Sequence, residues 1–417
     1  MRFAHVSDLH LGFQRKRSLQ EAERRIFEGM VDGWIKGGAR FVLMAGDIFH
    51  VNIPEMRVQR YVFAKFRQLH EAGIPAYAIY GSHDFSPVSN SVIDLLVSTG
   101  YVTKVTDAVT GEDGAITPKF TTDPGTGAKI CGISGLKVGR DIDYYKKLDR
   151  KGIEAEPGFK IFMFHGAISE MRQAADEGDH MPMSMLPAGF DYYAGGHVHE
   201  YGTGGDDSHG VVAYPGTPFA GNYADFVAST GDTKRGYIMA DSSGDKVSVE
   251  FVESGSPEHV PITVDANGRS PQIVNERLEE KAGAEDPVGK IMVVRVYGQM
   301  SEGRTADVDT ARVSLGLLER GALAVEVGRN MLTSHEYDVV RVRGESRDQI
   351  VRGVLETNIG QVRTGIERLE GGSGVRIAEE LLRRIGQPKI ENEDNKTYDA
   401  RMITDGSKTM GLSLDDP

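Results

Sequence analysis

Apolar residues in the first half of the chain fall into short compact runs separated by stretches of helical periodicity. Residues 1–6 form an apolar run that ends in a polar turn. Residues 18–34 repeat apolar positions at helical spacing, with Ser18 as an N-cap and Glu21 completing a capping box. Residues 40–45 read as a strand ending at Gly46-Asp47, residues 55–71 as a second helix, residues 74–80 as a third strand and residues 91–98 as a third helix. This alternation predicts a largely parallel, layered sheet. Residues 103–135 change to short strands with turn signals. Residues 160–164 are a buried strand ending at His165, residues 192–194 precede Gly195-Gly196-His197, and residues 211–214 and 237–252 read as further strands. The expected class is α/β, a four-layer α/β/β/α sandwich built on two sheets.

A second unit begins near His259, with strands at 261–264, 290–297 and 322–327 and helices at 271–282 and 308–320. A block of that size can fold alone. Beyond Arg343 strands disappear. Helical periodicity covers 347–369, the breaker Gly371-Gly372-Ser373-Gly374 follows, and 375–385 is helical again. The tail past Gln387 is polar and is expected to be partly disordered. The expected division is 1–257, 258–343 and 344–417.

Composition narrows the class. The chain has 417 residues, enough for two or three domains, and 39% hydrophobic with 26% charged residues is ordinary for a globular protein. No apolar run reaches membrane-spanning length. The opening MRFAHVSDLHLG lacks a charged-then-apolar leader, so a cytoplasmic location is expected. Cys131 is the one cysteine, which excludes an internal disulfide framework and a cysteine-rich zinc site. A net charge of −13 argues against a uniformly basic nucleic-acid coat. It leaves room for phosphate where divalent cations supply the positive charge. A local basic run, Arg15-Lys16-Arg17, follows the first motif, and a solvated surface is its default reading.

Ten of the twelve histidines precede residue 210, so histidine chemistry belongs to the first half. Four strand ends carry ligand-type clusters: Asp8-Leu9-His10, Gly46-Asp47 with His50, Ser82-His83-Asp84, and His197-Val198-His199. His165 is a fifth, isolated element. Residues i and i+2 of an extended segment point the same way, so Asp8 with His10, and His197 with His199, can aim at one point. Carboxylate and imidazole together suit Mn²⁺, Fe²⁺ or Zn²⁺ better than an all-oxygen magnesium site. Each piece alone also fits a turn residue or a structural histidine. Together they lie in order at carboxyl ends of strands, where open α/β sheets gather ligands. Two metal ions a few ångströms apart can neutralise both the attacked and the leaving oxygens of a phosphodiester. Asp47 is the natural bridging carboxylate.

The order D-x-H, G-D, G-[N]-H-D, H, G-H-x-H resembles that of calcineurin-like metallophosphoesterases. The strings SDLHLG, AGDIFH, YGSHD, FHGAI and GGHVHE resemble the Mre-eleven/SbcD family of DNA double-strand-break repair nucleases, archaeal branch. The resemblance covers most of the chain and is strongest in the first 220 residues. It implies a metallophosphoesterase domain, a small α/β capping domain that binds DNA, and a helical C-terminal region. It implies that Asp8, His10 and His199 hold one metal, that His165, His197 and Ser82 hold a second, and that Asp47 bridges. His83 would be the catalytic histidine supporting the leaving oxygen, and His50 would position the phosphate or the cleaved strand. The implied activity is a Mn²⁺-dependent 3′-to-5′ exonuclease and single-strand endonuclease, with two Mn²⁺ per subunit. The implied partners are DNA ends, a second copy of the chain through helices 55–71 and 91–98, and an SMC-like ABC ATPase of the Rad-fifty/SbcC type. Ile377, Leu381, Leu382 and Ile385 would meet that ATPase, because their helix follows a Gly-rich breaker and nothing obvious in the sequence remains for it to pack against. No membrane partner is expected, and the location would be the nucleoid.

Ser82 departs from the family pattern, which has asparagine there. An asparagine amide oxygen reaches further than a serine hydroxyl, so the second site is expected to be weakened on the order of 10–100-fold, not abolished. Two rival readings remain open at this level. One is a phosphoesterase for smaller substrates, which would not need the extra domain and tail. The other is a DNA-end-bridging scaffold without useful catalysis.

Overall fold

Alternation along each strand decides the layers. In the computed structural model, residues 1–84, 91–135, 141–171, 180–244, 246–334, 347–361, 369, 371–390 and 393–411 are described. The chain packs as two units. The first comprises Met1–Thr263, Glu280–Arg295 and Thr310–Gly328, and the second Val264–Glu279, Val296–Asp309 and Arg329–Pro417.

The first unit holds two six-stranded sheets. At the heart of one, β1 (Arg2–Val6), β2 (Val42–Ala45) and β3 (Ala76–Ile79) run parallel. At the heart of the other, strands Lys129–Ile133, Lys160–His165, Tyr192–Gly196 and Val211–Tyr214 run parallel. Phe3, Leu43, Ala45, Tyr77 and Ile79 face inward and meet Ile161, Met163, Tyr192 and Ala194 in one dry layer. Phe3 stacks on Phe41 at 5.0 Å and takes Tyr192 edge-on at 5.1 Å, so aromatic packing joins the sheets. The alternate residues Ala4, Val42, Met44, Ala76 and Ala78 face helices. These are α1 (Arg17–Lys36), α2 (Met56–Glu71) and α3 (Val92–Ser98). The alternate residues of the second sheet, Phe162, Phe164 and Tyr193, form a separate outer core. The expected four layers are present.

Helix α1 differs from expectation at its start. It begins at Arg17, and its N-cap residue Lys16 provides no side-chain cap. Lys16 Nζ is instead held by the Val325 carbonyl and Glu326, both at 2.5 Å, and Arg17 pairs with Glu21 at 3.1 Å. Ser18 and Glu21 therefore lie inside the helix and form no capping box. The α3 start follows the rule: Ser91 and Asp94 form a reciprocal capping box.

The second unit contains a parallel pairing of Gly298–Met300 with Leu332–Ser334 and three helices, Arg347–Gln361, Gly371–Ile385 and Asn395–Met410. Two expectations are corrected here. The Gly371-Gly372-Ser373-Gly374 segment is the first turn of a helix, not a break before one. The polar tail also contains a helix, capped by Asp394, whose side chain accepts from Thr397 N–H. The middle helix consequently packs against both neighbours and is not left alone. Part of the expected helix 347–369, the expected boundary at 343/344, and Phe85–Pro87 lie outside the described residues. No helix among the described residues is long and apolar enough to cross a membrane.

One buried acid ties α1 to the loop after the first motif. Glu23 Oε1 accepts from Gly12 N–H at 2.8 Å and from the Tyr61 hydroxyl at 3.3 Å. Burial pushes its pKa up to about 7, against those donors and Arg57. A folded pKa above the unfolded one gives stability that is complete below the unfolded value and is lost as pH rises through about 7. Glu23→Gln should therefore remove up to about 3 kcal/mol of pH dependence between about pH 4.5 and 7. Chemical denaturation of both proteins across that window checks this, the variant gaining on the parent as pH rises.

Candidate metal centre

All the expected ligand positions follow the carboxyl ends of parallel strands. Asp8 and His10 follow β1, Asp47 follows β2, and Ser82 and His83 follow β3. His165 closes strand Lys160–His165, and His197 and His199 follow Tyr192–Gly196. Among the described residues, four non-glycine residues have positive φ: Asp8 (51°), His10 (42°), Asp47 (51°) and His197 (88°). Such conformations cost on the order of 1–3 kcal/mol each and persist only where the surroundings impose them. Backbone bonds impose them here. Asp8 N–H donates to the Gly46 carbonyl at 3.1 Å and His10 N–H to the Asp47 carbonyl at 2.9 Å.

The ligand atoms of Asp8, His10 and His199 lie within 4.8 Å of one another, as do those of Asp8, Asp47 and His165, and of His10, His50 and His83. Asp47 Oδ2 stands 3.4 Å from His165 Nε2 and 3.8 Å from His10 Nε2. The other Asp47 oxygen accepts from His83 N–H at 2.8 Å. His197 lies at the margin. Its ring is 5.4 Å from that of His165, it belongs to none of the three close groups, and its N–H donates to both Asp8 oxygens at 3.2 and 3.0 Å. Ser82 is half-buried in the turn after Gly81. A Cβ on Gly81 would collide with the Asp47 carboxylate, and one on Gly196 with the Ala45 carbonyl and the His165 ring. Glycine at both positions is what lets the chains close on these ligands.

Two tautomers are set by the surroundings. His165 Nδ1 donates to the Ala45 carbonyl at 2.8 Å, and His199 Nδ1 to Asp225 Oδ1 at 2.9 Å. Each ring therefore turns an Nε2 lone pair toward the carboxylates. His165 Nε2 is buried without a regular hydrogen bond, and His199 Nε2 faces His10 Nε2 at 3.3 Å. Lone pairs aimed at carboxylates and at each other need a positive charge between them, so the donor set fits divalent cations. The electrostatics agree. Burial disfavours a charged His165, but Asp47 and Asp8 outweigh it and push its pKa up to about 10, so without a cation a proton on Nε2 supplies the positive charge there. Burial also opposes the Asp47 carboxylate, yet His165, His10 and the His83 N–H hold it well below the usual range. Burial lowers His10 to about 4, with Asp47 and Asp8 opposing. Burial and then His83 lower His50, and burial and then His165 lower His197.

Two supporting carboxylates were not assigned roles from sequence. Asp225 orients His199 and also accepts from the N–H groups of Gly221 and Asn222 at 3.0 and 3.1 Å. Its signal was the N-x-x-D capping box at Asn222 and Asp225. Asp84 accepts from the N–H groups of Ile48, Phe49 and Gly81, locking the loop after β2 to that after β3. Burial and Asp47 push its pKa up to about 7 against these donors.

The four residues expected to bind an ATPase lie on helix Gly371–Ile385. Leu382 and Ile385 are 52% and 49% exposed. Ile377 and Leu381 are half-buried, Leu381 lying beside Gly406 of the last helix.

Residues 1–201 match the family of calcineurin-like phosphoesterases. The chain is 26% identical over 325 residues to the DNA double-strand break repair protein Mre11 of Methanopyrus kandleri, covering 76% of this chain and 68% of that protein. It is 24% identical over 292 residues to the protein of the same name from Sulfolobus acidocaldarius, covering 67% and 71%. The corresponding Methanocaldococcus jannaschii protein is 26% identical over 300 residues, covering 70% and 73%.

Asp225→Asn should weaken divalent-cation binding about 10–100-fold, because it removes the charge that orients and enriches the His199 imidazole. Calorimetric titration of the metal-free protein with Mn²⁺ or Zn²⁺ reads this. An unchanged affinity would mean that His199 is not a ligand.

Proposed function

Residues 1–201 form a calcineurin-like phosphoesterase domain, and on that premise we propose that the protein is a two-metal DNA nuclease acting in double-strand-break repair. The observation that carries this reading is the position of Asp47, whose Oδ2 lies between His10 Nε2 at 3.8 Å and His165 Nε2 at 3.4 Å. One imidazole of each expected site thus faces one carboxylate. Asp8, His10 and His199 would hold the first ion, His165 and His197, with Ser82 or water, would hold the second, and Asp47 would serve both. We take the ions as Mn²⁺, which would activate water and neutralise charge on the phosphoryl oxygens.

The chain's own residues do the rest. His83 Nδ1 donates to the His50 carbonyl at 2.9 Å, so Nε2 is the atom left to face substrate. In its imidazolium form Nε2–H donates to the leaving oxygen of the phosphodiester. The His50 ring stacks on His83 at 5.0 Å and is backed by Phe13 at 4.2 Å, which keeps both imidazoles on one side of the site. The flanking Asp84 clamp holds the two loops that carry Asp47 and His83 at fixed separation.

The rest of the reading is organisational. Residues 1–257 carry the nuclease, 258–343 bind DNA, and 344–417 meet an SMC-like ABC ATPase through Leu382 and Ile385, in the nucleoid. A homodimer is supported by exposed apolar residues around α2 and α3: Val51 (45%), Ile53 (61%), Met56 (78%) and Leu95 (49%). Similarity to archaeal Mre11 proteins over most of the chain favours DNA over small phosphoesters.

The direct check is a Mn²⁺-dependent nuclease assay on end-labelled duplex DNA with Asp8→Ala as the blank. Loss of label from the 3′ end that vanishes in the blank is expected. No cleavage above the blank, from folded protein at millimolar Mn²⁺, would sink the reading for the isolated chain. Ser82→Asn should tighten the weaker of two Mn²⁺ binding steps about 10–100-fold, read by calorimetry. An unchanged second step would remove residue 82 from the ligand set.

A further inference from the structure

A second cleft opens beside the metal centre on the His199 side. It measures about 470 Å³ and is walled by Glu200, Tyr201, Asp232, Lys234, Phe251 and Glu253. Its place in the fold follows from strand register. Strand Gly236–Asp241 runs antiparallel to β1, with Ile238 opposite His5, so Gly236 lies at the carboxyl end of β1 where Asp8 follows. Glu253 pairs with Gly236, and Phe251 with Ile238. Glu200 and Tyr201 directly follow His199. Arg235, next to Lys234, donates to the His199 carbonyl at 2.8 Å and to the Asp225 carbonyl at 2.8 Å. The cleft and the ligand His199 are thus fixed to one another by the chain and by a buried guanidinium.

The lining chemistry is unusual for a surface that handles an anion. Tyr201 and Phe251 meet with ring centroids 4.7 Å apart and planes at 50°, both half-buried. A Cβ on Gly236 would approach the Phe251 ring to 2.7 Å, so the glycine leaves room for the aromatic. Three carboxylates, Glu200, Asp232 and Glu253, surround these rings, and the one lysine is already paired with Glu253 at 2.7 Å. Phosphate is repelled there. The carboxylates do not form a close group of metal-ligand atoms among the described residues, so a cation site is not indicated. Aromatic faces accept a flat ring, and carboxylates accept hydrogen bonds from an amino group.

We infer that this cleft is a subsite for one unpaired nucleobase bearing an exocyclic amino group, adenine, cytosine or guanine, while the adjoining phosphate lies at the metal centre. The inference rests on the nucleic-acid reading above. Thymine has no exocyclic amino group and its one edge N–H is flanked by two carbonyls, so it meets the carboxylates less favourably. A paired base inside a duplex hides its faces, so the subsite takes a strand end or an unpaired nucleotide. The acidic rim keeps the sugar–phosphate chain out and leaves the phosphate to the cations. It also gives a chain of net charge −13 a way to choose among nucleotides without a basic groove.

The test uses the full chain loaded with Mn²⁺ and fluorescence anisotropy of short labelled single strands of dA, dC, dT and abasic sites, phosphorothioate-linked so that they resist cleavage. The dA and dC strands should bind about tenfold more tightly than dT or abasic strands. Phe251→Leu and Glu200→Gln should each bring that ratio toward one while affinity for the abasic strand stays unchanged. Two substitutions on different elements guard against misfolding of either, and Glu200→Gln removes no packing. Equal affinity for all four strands, or a preference that survives both variants, overturns the subsite and leaves the nuclease reading standing. Absence of binding to every strand, with a blank nuclease assay, overturns both.

Discussion

A buried hydrogen bond from His165 Nδ1 to the Ala45 carbonyl helps join the two sheets at the point where their candidate ligands meet. It crosses from the end of Lys160–His165 to the end of β2. It fixes the His165 tautomer and places Nε2 against Asp47. Gly196 must be bare for this bond to form, because a Cβ there would occupy its space. The metal centre is therefore assembled from halves, each sheet contributing ligands that neither sheet could bring together alone.

The first half of this arrangement was legible in the sequence because its signals are local. A strand's end is marked by the switch from apolar run to polar turn, and the candidate site residues sit on those switches: Asp8, Asp47, His83, His165 and His197. The i, i+2 rule explains how one loop can offer two ligands. It does not foresee that Asp8, His10, Asp47 and His197 reach their places through positive φ, which only long-range backbone bonds such as Asp8 N–H to Gly46 reveal. Nor does it separate ligands from neighbours. His197 stands at the margin and contributes its N–H to Asp8 more visibly than its ring to the cluster.

What was missed depends on distance along the chain or on weak patterns. Asp225 is separated from His199 by 26 positions and acts through a carboxylate–imidazole bond that no short motif encodes. Ser18 and Glu21 matched a capping box, but α1 has its N-cap two residues earlier, at Lys16, which is tethered to Glu326. In the C-terminal region, Gly371–Gly374 outweighed helix signals in the sequence, yet a glycine at a helix start costs little, and Gly374 lies close to the Leu369 carbonyl. The polar helix Asn395–Met410 lacked strong amphipathicity, and its cap, Asp394, was the readable sign.

The dry layer between the sheets carries a consequence for how this protein tolerates change. Phe3, Phe41 and Tyr192 behave as a spacer whose thickness sets the gap that Asp47 and His165 must bridge. Side chains in such a layer are packed like a solid, so a lost ring is not refilled without movement. A conservative-looking change there would slide one half of the centre past the other by a fraction of an ångström. Its cost would be felt first in chemistry and only later in melting temperature. Sequence drift in this chain should consequently be judged by the combined volume of facing residues across the interlayer, since one sheet can change only as its opposite accommodates.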